Sequence, residues 1–377
     1  MRIITSGESH GKGLFAIVEG LPSHLRVDRE EIDAYLSLRQ SGYGRGGRQK
    51  IERDHIEILS GVRNGETLGS PVCLAVFNDD YKNWKDYMSP EECDVSARTV
   101  TKVRPGHADL TGMKKFAQTD ARNILERASA RETAIRVAVG TLCRQLLRAL
   151  GVEITGYVKQ VYTVRDENQY TFGQIASGRL PELGMMDPAA QEKAIAEIKS
   201  LREAGDTCGG VMEIRVKGLK SGFGSCMSYG EKLDARLVGA LMSVQAIKGA
   251  EVGLGFGVAS LSGKDVHDEI FYDEKRGYYR ETNRAGGIEG GMSNGEEIVL
   301  RAAMKPIPTL MRGLKTVDTA TKLPDRAATE RSDVCAITAC EIILESVTAA
   351  ALAEAVLERL GGDNLAEIIE RYGRLPD

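Results

Sequence analysis

Apolar and polar positions alternate or recur along the chain with periods that set its elements. Residues 14–21, LFAIVEGL, alternate weakly and predict a strand. A helix follows, opened by the pair Asp28 and Glu31, with Ile32, Tyr35 and Leu36 on its apolar stripe. HIEILSGV (55–62) and SPVCLAVF (70–77) predict two strands joined by a turn at RNGE. From Ser129, an S-x-x-E box with Glu132 predicts a helix whose Ile135, Val139, Leu142, Leu146 and Leu150 share a face, ending at Gly151. Strands are predicted again at 151–164 and 209–219, with an amphipathic helix near 189–203 and another near 231–247 carrying Leu233, Leu237, Leu241 and Val244. Residues 332–350 are apolar nearly all round and predict a buried helix. The polar, glycine-dense stretch 275–297 has the profile of a mobile flap, and 79–105 reads as a polar loop carrying Tyr81, Trp84 and Tyr87.

The order of these elements suggests two related halves, about 1–160 and 208–350, separated by an excursion at 166–208 and packed as one domain over 1–377. In each half a strand, a Gly-Leu turn, a helix and a glycine-rich segment follow one another.

Composition narrows the class. The 377 residues are 42% hydrophobic and 28% charged, ordinary for a globular protein, but only 5% aromatic, with 42 glycines. Seven cysteines, odd in number and without C-x-x-C spacing, read as reduced thiols of a cytoplasmic protein, with no metal site. No apolar run approaches a membrane span, and the N-terminal MRIITSGESHG lacks the apolar core of a signal peptide. A net charge of −4 argues against a general nucleic-acid binder.

Against that acidic balance, LRQSGYGRGGRQK (38–50) gathers Arg39, Arg45, Arg48 and Lys50 among glycines. Glycine lets the backbone come close to a ligand, and each guanidinium can fork onto a carboxylate or phosphate. A solvated turn and an RNA-binding Arg-Gly tract are the alternatives; the tract is short and the chain is poor in stacking aromatics. SGESHGKG (6–13) is one residue too short for a phosphate-binding P-loop, and the residues after it are strand-like, so it is not a dinucleotide fingerprint either. It presents Ser9 and His10 between glycines. RPGHADLTG (104–112) sets Arg104 and His107 around a Pro-Gly turn. ERASARETAIR (126–136) and RSDVCAI (331–337) place Arg127, Arg131, Arg331 and Asp333 at helix mouths, where the backbone itself favours anions. KPIPT (305–309) is a rigid strap with one lysine and one hydroxyl. Together these imply a site for a small polyanion, with a phosphate-bearing cofactor and acid–base assistance.

GESHGKGLFAIVEGLP, ERASARETAIRVAVGTL and RSDVCAITACEIILES resemble the three signature regions of the chorismate synthase family. LRQSGYGRGGRQKIERD, RPGHADLTG, MSVQAIKGAEVGLGF, AGGIEGGMSNGEEI and KPIPTL match it in the same order, from Met1 to about residue 350. The resemblance implies an α+β fold, a β-α-β sandwich with helices between two antiparallel sheets, assembled as a homotetramer. It implies loss of phosphate and a ring proton from 5-enolpyruvylshikimate 3-phosphate to give chorismate, using reduced FMN without net redox change. His10 would then protonate the departing phosphate, with Ser9 beside it. His107 would stabilise the reduced flavin, Asp333 would help remove the ring proton, and Ser129 would join a proton relay. Arg39, Arg45, Arg48, Arg104 and Arg131 would bind substrate. FMN would meet Arg127, Ala128, Ser129, Gln245, Ala246, Gly290, the strap residues Lys305, Pro306, Ile307, Pro308 and Thr309, and Arg331. Ala128 stands where relatives carry serine, which a backbone contact tolerates. NADPH, directly or through an external flavin reductase, would be the source of reductant, and the 275–297 flap a lid. A flavin-dependent oxidoreductase on the same scaffold is the competing activity.

Overall fold

A computed structural model describes residues 1–46, 53–327 and 333–376. The run at 14–21 forms the strand Gly13–Glu19, with Leu14, Ala16 and Val18 buried on one face. It sits inside a four-stranded antiparallel sheet in the order Arg2–Gly7, Gly13–Glu19, Val72–Phe77, Glu57–Ser60. The RNGE turn does not join the two sheet strands directly: it links Val62–Arg63 to Glu66–Leu68 in a separate small sheet. A second antiparallel sheet has the order Ile247–Val252, Ile298–Met304, Gly210–Lys217, Glu153–Val161, Val164–Arg165.

Helices fill the space between the sheets, giving the expected α+β sandwich. Thr133–Arg148 packs on the first sheet, Ile337–Leu360 packs on the second, and the two helices pack on each other. Their approach is close at Gly140, where a Cβ would meet the Ser346 Cβ at 2.4 Å; any larger residue would force the helices apart. Arg29–Gln40 lies against both helices, and Leu233–Met242 lies against the longer one. The stripes read from the sequence point inward: Ile135, Leu142, Leu146, Leu233, Leu237 and Leu241 are fully buried.

Three further local features differ from the sequence reading. Ser129 caps only a short turn, accepting from Arg131 N; Glu132 instead uses its carboxylate to accept from Gln245 Nε2 at 3.1 Å, and the regular helix starts at Thr133. The apolar helix from Ile337 carries two buried acids, Glu341 and Glu345. Arg179 and Arg144 meet them at 2.8 and 2.7 Å, and burial together with the neighbouring Glu345 still raises Glu341 well above the usual carboxylate range. The glycine-dense stretch 275–297 is folded into the hairpins Ile270–Asp273/Gly277–Arg280 and Ile288–Glu289/Met292–Ser293, with Ser293 buried. Among the described residues, no helix is long and apolar enough to cross a membrane.

Candidate active site

The glycine–arginine loop is shaped by what it packs on. Gly42 and Gly44 adopt φ of 106° and 89°. A Cβ on Gly42 would reach Thr338 Oγ1 at 2.6 Å, and one on Gly44 would reach the Cys335 Cβ at 3.0 Å. The loop backbone therefore lies directly on the start of the long helix. Val334 N donates to Gly44 O at 2.9 Å, and Gly46 N donates to Asp333 Oδ1 at 2.5 Å. Arg45 pairs with Asp333 Oδ2 at 2.9 Å. Arg48, Arg331 and Ser332 lie outside the described residues.

Arg39, at the end of its helix, donates from Nε to Thr133 Oγ1 and from Nη2 to Ala130 O, each at 2.9 Å. It shares Asp54 with Arg131, at 3.6 and 2.6 Å. Burial, with Arg131 and Arg45 close by, pulls the Arg39 guanidinium down to about 9 despite Asp54. Arg104 holds Asp109 through Nε at 2.9 Å and through Nη2 at 3.1 Å, and reaches Thr309 Oγ1 at 3.3 Å. His107 Nδ1 lies 2.5 Å from Asp109 Oδ1. Burial pushes the Asp109 carboxyl up, but bonds from His107 and Arg104 outweigh it and hold the group well below the usual carboxylate range.

These groups surround one cavity of about 450 Å³. Arg39, Arg45, Arg104, Arg131, His107, Ser129, Gln245, Lys305, Thr309 and Asp333 line its polar side. Ala128, Ala246, Ile307 and Pro308 line it as well, together with Val244, read from the sequence only as part of a helix stripe, and Met304, Ala336, Ala339, Cys340 and Ile343, which the sequence reading did not single out. Ala246 takes a left-handed φ of 70°, a strained position for a non-glycine residue, and its carbonyl accepts from Lys305 N. Lys305 Nζ reaches across to Gly106 O, and burial, then Lys248, lowers its ammonium below the ordinary lysine range.

Three residues expected at the flavin do not line the cavity. Arg127 turns to the first strand, donating to Gly7 O, Thr5 O and Thr5 Oγ1, because its position on the helix Arg122–Ala128 faces that edge. Pro306 points to solvent while its neighbours face inward. Gly290 sits in the turn of the Ile288–Ser293 hairpin, whose next residue, Gly291, accepts from Leu233 N at the start of a helix that only at its far end leads to Gln245. None of the 275–297 residues lines the cavity, so the stretch is not placed as its lid.

Ser9 and His10 flank the cavity without lining it. Asn78 is the link: its side-chain amide donates to Glu8 O and Gly11 O, and its Oδ1 accepts from Arg131 Nε at 3.0 Å. His10 rests on Glu126 and stacks on Trp84, with centroids 4.0 Å apart. Glu126, Asp109, Asp54 and Trp84 are site residues that the sequence reading missed. Asp109 and Glu126 lie within motifs already quoted, two residues after His107 and one before Arg127. Asp54 closes the quoted segment LRQSGYGRGGRQKIERD, fifteen positions after Arg39. Among the described residues no cluster of His, Cys, Asp and Glu could hold a metal ion.

A helix layer between two antiparallel sheets, with four arginines converging on a half-apolar cavity, is the architecture of an enzyme with a charged active site. A family model described as chorismate synthase matches residues 1–357. Chorismate synthases of Geobacter sulfurreducens and Caldicellulosiruptor bescii are 52% and 48% identical, over 99% and 100% of this chain and 97% and 99% of theirs. A solved structure titled "Crystal Structure of Chorismate Synthase" superposes with a TM-score of 0.77 at 37% identity, over 99% of this chain and 96% of the other. The chain belongs to the chorismate synthase family, and is thus a carbon–oxygen lyase of aromatic amino acid biosynthesis.

Proposed function

We propose that the cavity converts 5-enolpyruvylshikimate 3-phosphate to chorismate by 1,4-elimination of phosphate, with reduced FMN as cofactor and no net redox change. The observation that carries this is the convergence of Arg39, Arg45, Arg104 and Arg131, from separate segments, on one cavity. The substrate bears two carboxylates and a phosphate, and confining that charge needs several forked cations. Each of the four is already held by a carboxylate, at Asp54, Asp333 or Asp109, so little side-chain freedom is lost on binding.

The same cavity fits a flavin. Gln245 Oε1 is buried with no hydrogen-bond partner, an acceptor suited to an imide N–H, and it lies beside the apolar strip from Val244 to Met304. Ala128, Ser129, Gln245, Ala246, Lys305, Ile307, Pro308 and Thr309 would hold the cofactor. Arg331 would add a contact from outside the described residues. When bound, reduced FMN supplies transient electron density that helps expel phosphate from a poorly acidic substrate. His10, with Ser9, delivers a proton to the leaving phosphate. Asp333 accepts the ring proton, with Ser129 as a relay. His107, held on Asp109, stabilises the charge of the reduced cofactor.

We also propose a cytoplasmic homotetramer of single-domain chains in which 1–160 and 208–350 are related halves, with NADPH, directly or through an external reductase, supplying reductant. The main hydrophobic core runs from Leu14 to Tyr372, with only a small second cluster at Val103, Met113 and Ala121, and supports a single domain. Ile4, Ile17 and Leu59, about half exposed on the outer face of the first sheet, support association.

Anaerobic incubation with dithionite-reduced FMN and the enolpyruvyl phosphate tests the reaction. Chorismate absorbance and phosphate release should rise together, with reductant needed only in catalytic amount. Stoichiometric consumption of reductant would favour the oxidoreductase reading instead.

A further inference from the structure

We propose that Glu126 is the positioning residue for His10, selecting the tautomer and ring orientation that leave Nε2 to handle the proton. The proposal rests on the assignment of His10 as proton donor to the leaving phosphate. Glu126 is 3% exposed, on the helix Arg122–Ala128. Its carboxylate accepts from His10 N at 2.8 Å and lies 2.9 and 3.0 Å from His10 Nδ1. Arg122 Nη1 donates to the same carboxylate at 2.9 Å. One acid thus grips both the main chain and the ring of one residue, while an arginine fixes the acid.

The chemistry is set by which atoms can donate. An ionised carboxylate only accepts, so the Nδ1 facing it must carry hydrogen. Burial pushes the Glu126 carboxyl up, but the hydrogen bond and charge of His10 outweigh it and keep it below the usual range, so it stays ionised. In the imidazolium, Nε2–H is then the proton that can leave. Transfer to a phosphate oxygen leaves the neutral Nδ1–H ring, and no proton passes to Glu126. A ring turned over would put carbon against the carboxylate. Trp84, stacked on the imidazole at 28°, opposes that turn, and is itself backed by Arg98 at 4.4 Å and Arg122 at 5.0 Å.

Glu126→Gln separates positioning from folding, because a carboxamide can donate into Nδ1 and favour the opposite tautomer. Full-length protein carrying 15N-histidine has five imidazoles to resolve, with His10 assigned by its loss in His10→Ala. Wild type should show a protonated Nδ1 and an unprotonated Nε2 at His10 above its titration, and Glu126→Gln the reverse. In the anaerobic assay, kcat of Glu126→Gln should fall about 100-fold, with KM for the enolpyruvyl phosphate little changed. Glu126→Asp should recover part of the rate and the wild-type nitrogen pattern. A wild-type ring protonated at Nε2 overturns the proposal even if the Gln variant fails to fold. So does full turnover in Glu126→Gln when His10→Ala is inactive. Full turnover in His10→Ala overturns the parent assignment, and this one with it.

Discussion

His107 and His10 each set Nδ1 against a buried carboxylate that an arginine also grips, Asp109 with Arg104 and Glu126 with Arg122. The first assembly is local: all three residues lie between positions 104 and 109, wrapped around a Pro-Gly turn. The second is assembled: His10 sits after the first strand, and its acid is 116 positions away. The supports differ accordingly. Besides Asp109, Arg104 has the Thr309 hydroxyl. Arg122 also donates to Arg98 O at 2.6 Å and faces Trp84. A short loop can orient a histidine by itself, but only packing can orient one whose partner is distant. The two assemblies should therefore be alike in catalysis and unlike in stability.

The sharpest break in the parallel would come from turnover. His10→Ala and His107→Ala should each lower kcat by about 10²- to 10⁴-fold while FMN, followed by fluorescence titration, still binds; a normal rate in either would end the equivalence. Stability should then separate the acids. Asp109→Ala leaves Arg104 a buried and mostly unpaired charge and should cost about 3–5 kcal/mol in denaturant unfolding. Glu126→Ala should cost less, because Arg122 keeps its carbonyl and its indole. Equal losses would erase the distinction.

A smaller effect concerns a cavity-lining arginine. Arg45→Ala should weaken binding of the enolpyruvyl phosphate by about 1.5–3 kcal/mol and FMN binding by less, which calorimetry of each ligand can contradict. The smallest expected difference is in acid unfolding. Asp109 and Glu126 both titrate below ordinary carboxylates, so each contributes stability above about pH 4 that is lost as pH falls through its lowered value. The Asp109 shift is the larger, so Asp109→Asn should flatten the acid limb of stability more than Glu126→Gln; the opposite order would reverse the comparison.

Elements with a regular period were legible from the chain. The stripe from Ile135 to Leu150, the cap at Asp28, and the leucines from Leu233 to Leu241 depend on residues within a few positions of one another. The Ser129 box misled because Glu132 is taken by Gln245, a partner from another segment. Arg127 likewise takes its partners from a distant segment, the edge of the first strand.

What the amino-acid order determined by itself was therefore the main periodic helices and several of the strands, the glycine loop that must come close to something, and, through its motifs, the family. The tertiary structure alone decided that Gly42 and Gly44 approach the long helix, that Asp54 joins Arg39 to Arg131, and that Glu126 lies under His10. The reason is physical. Periodicity and capping act over one or two turns of chain, whereas an ion pair is selected by whichever groups the packed core leaves facing each other after distant segments meet.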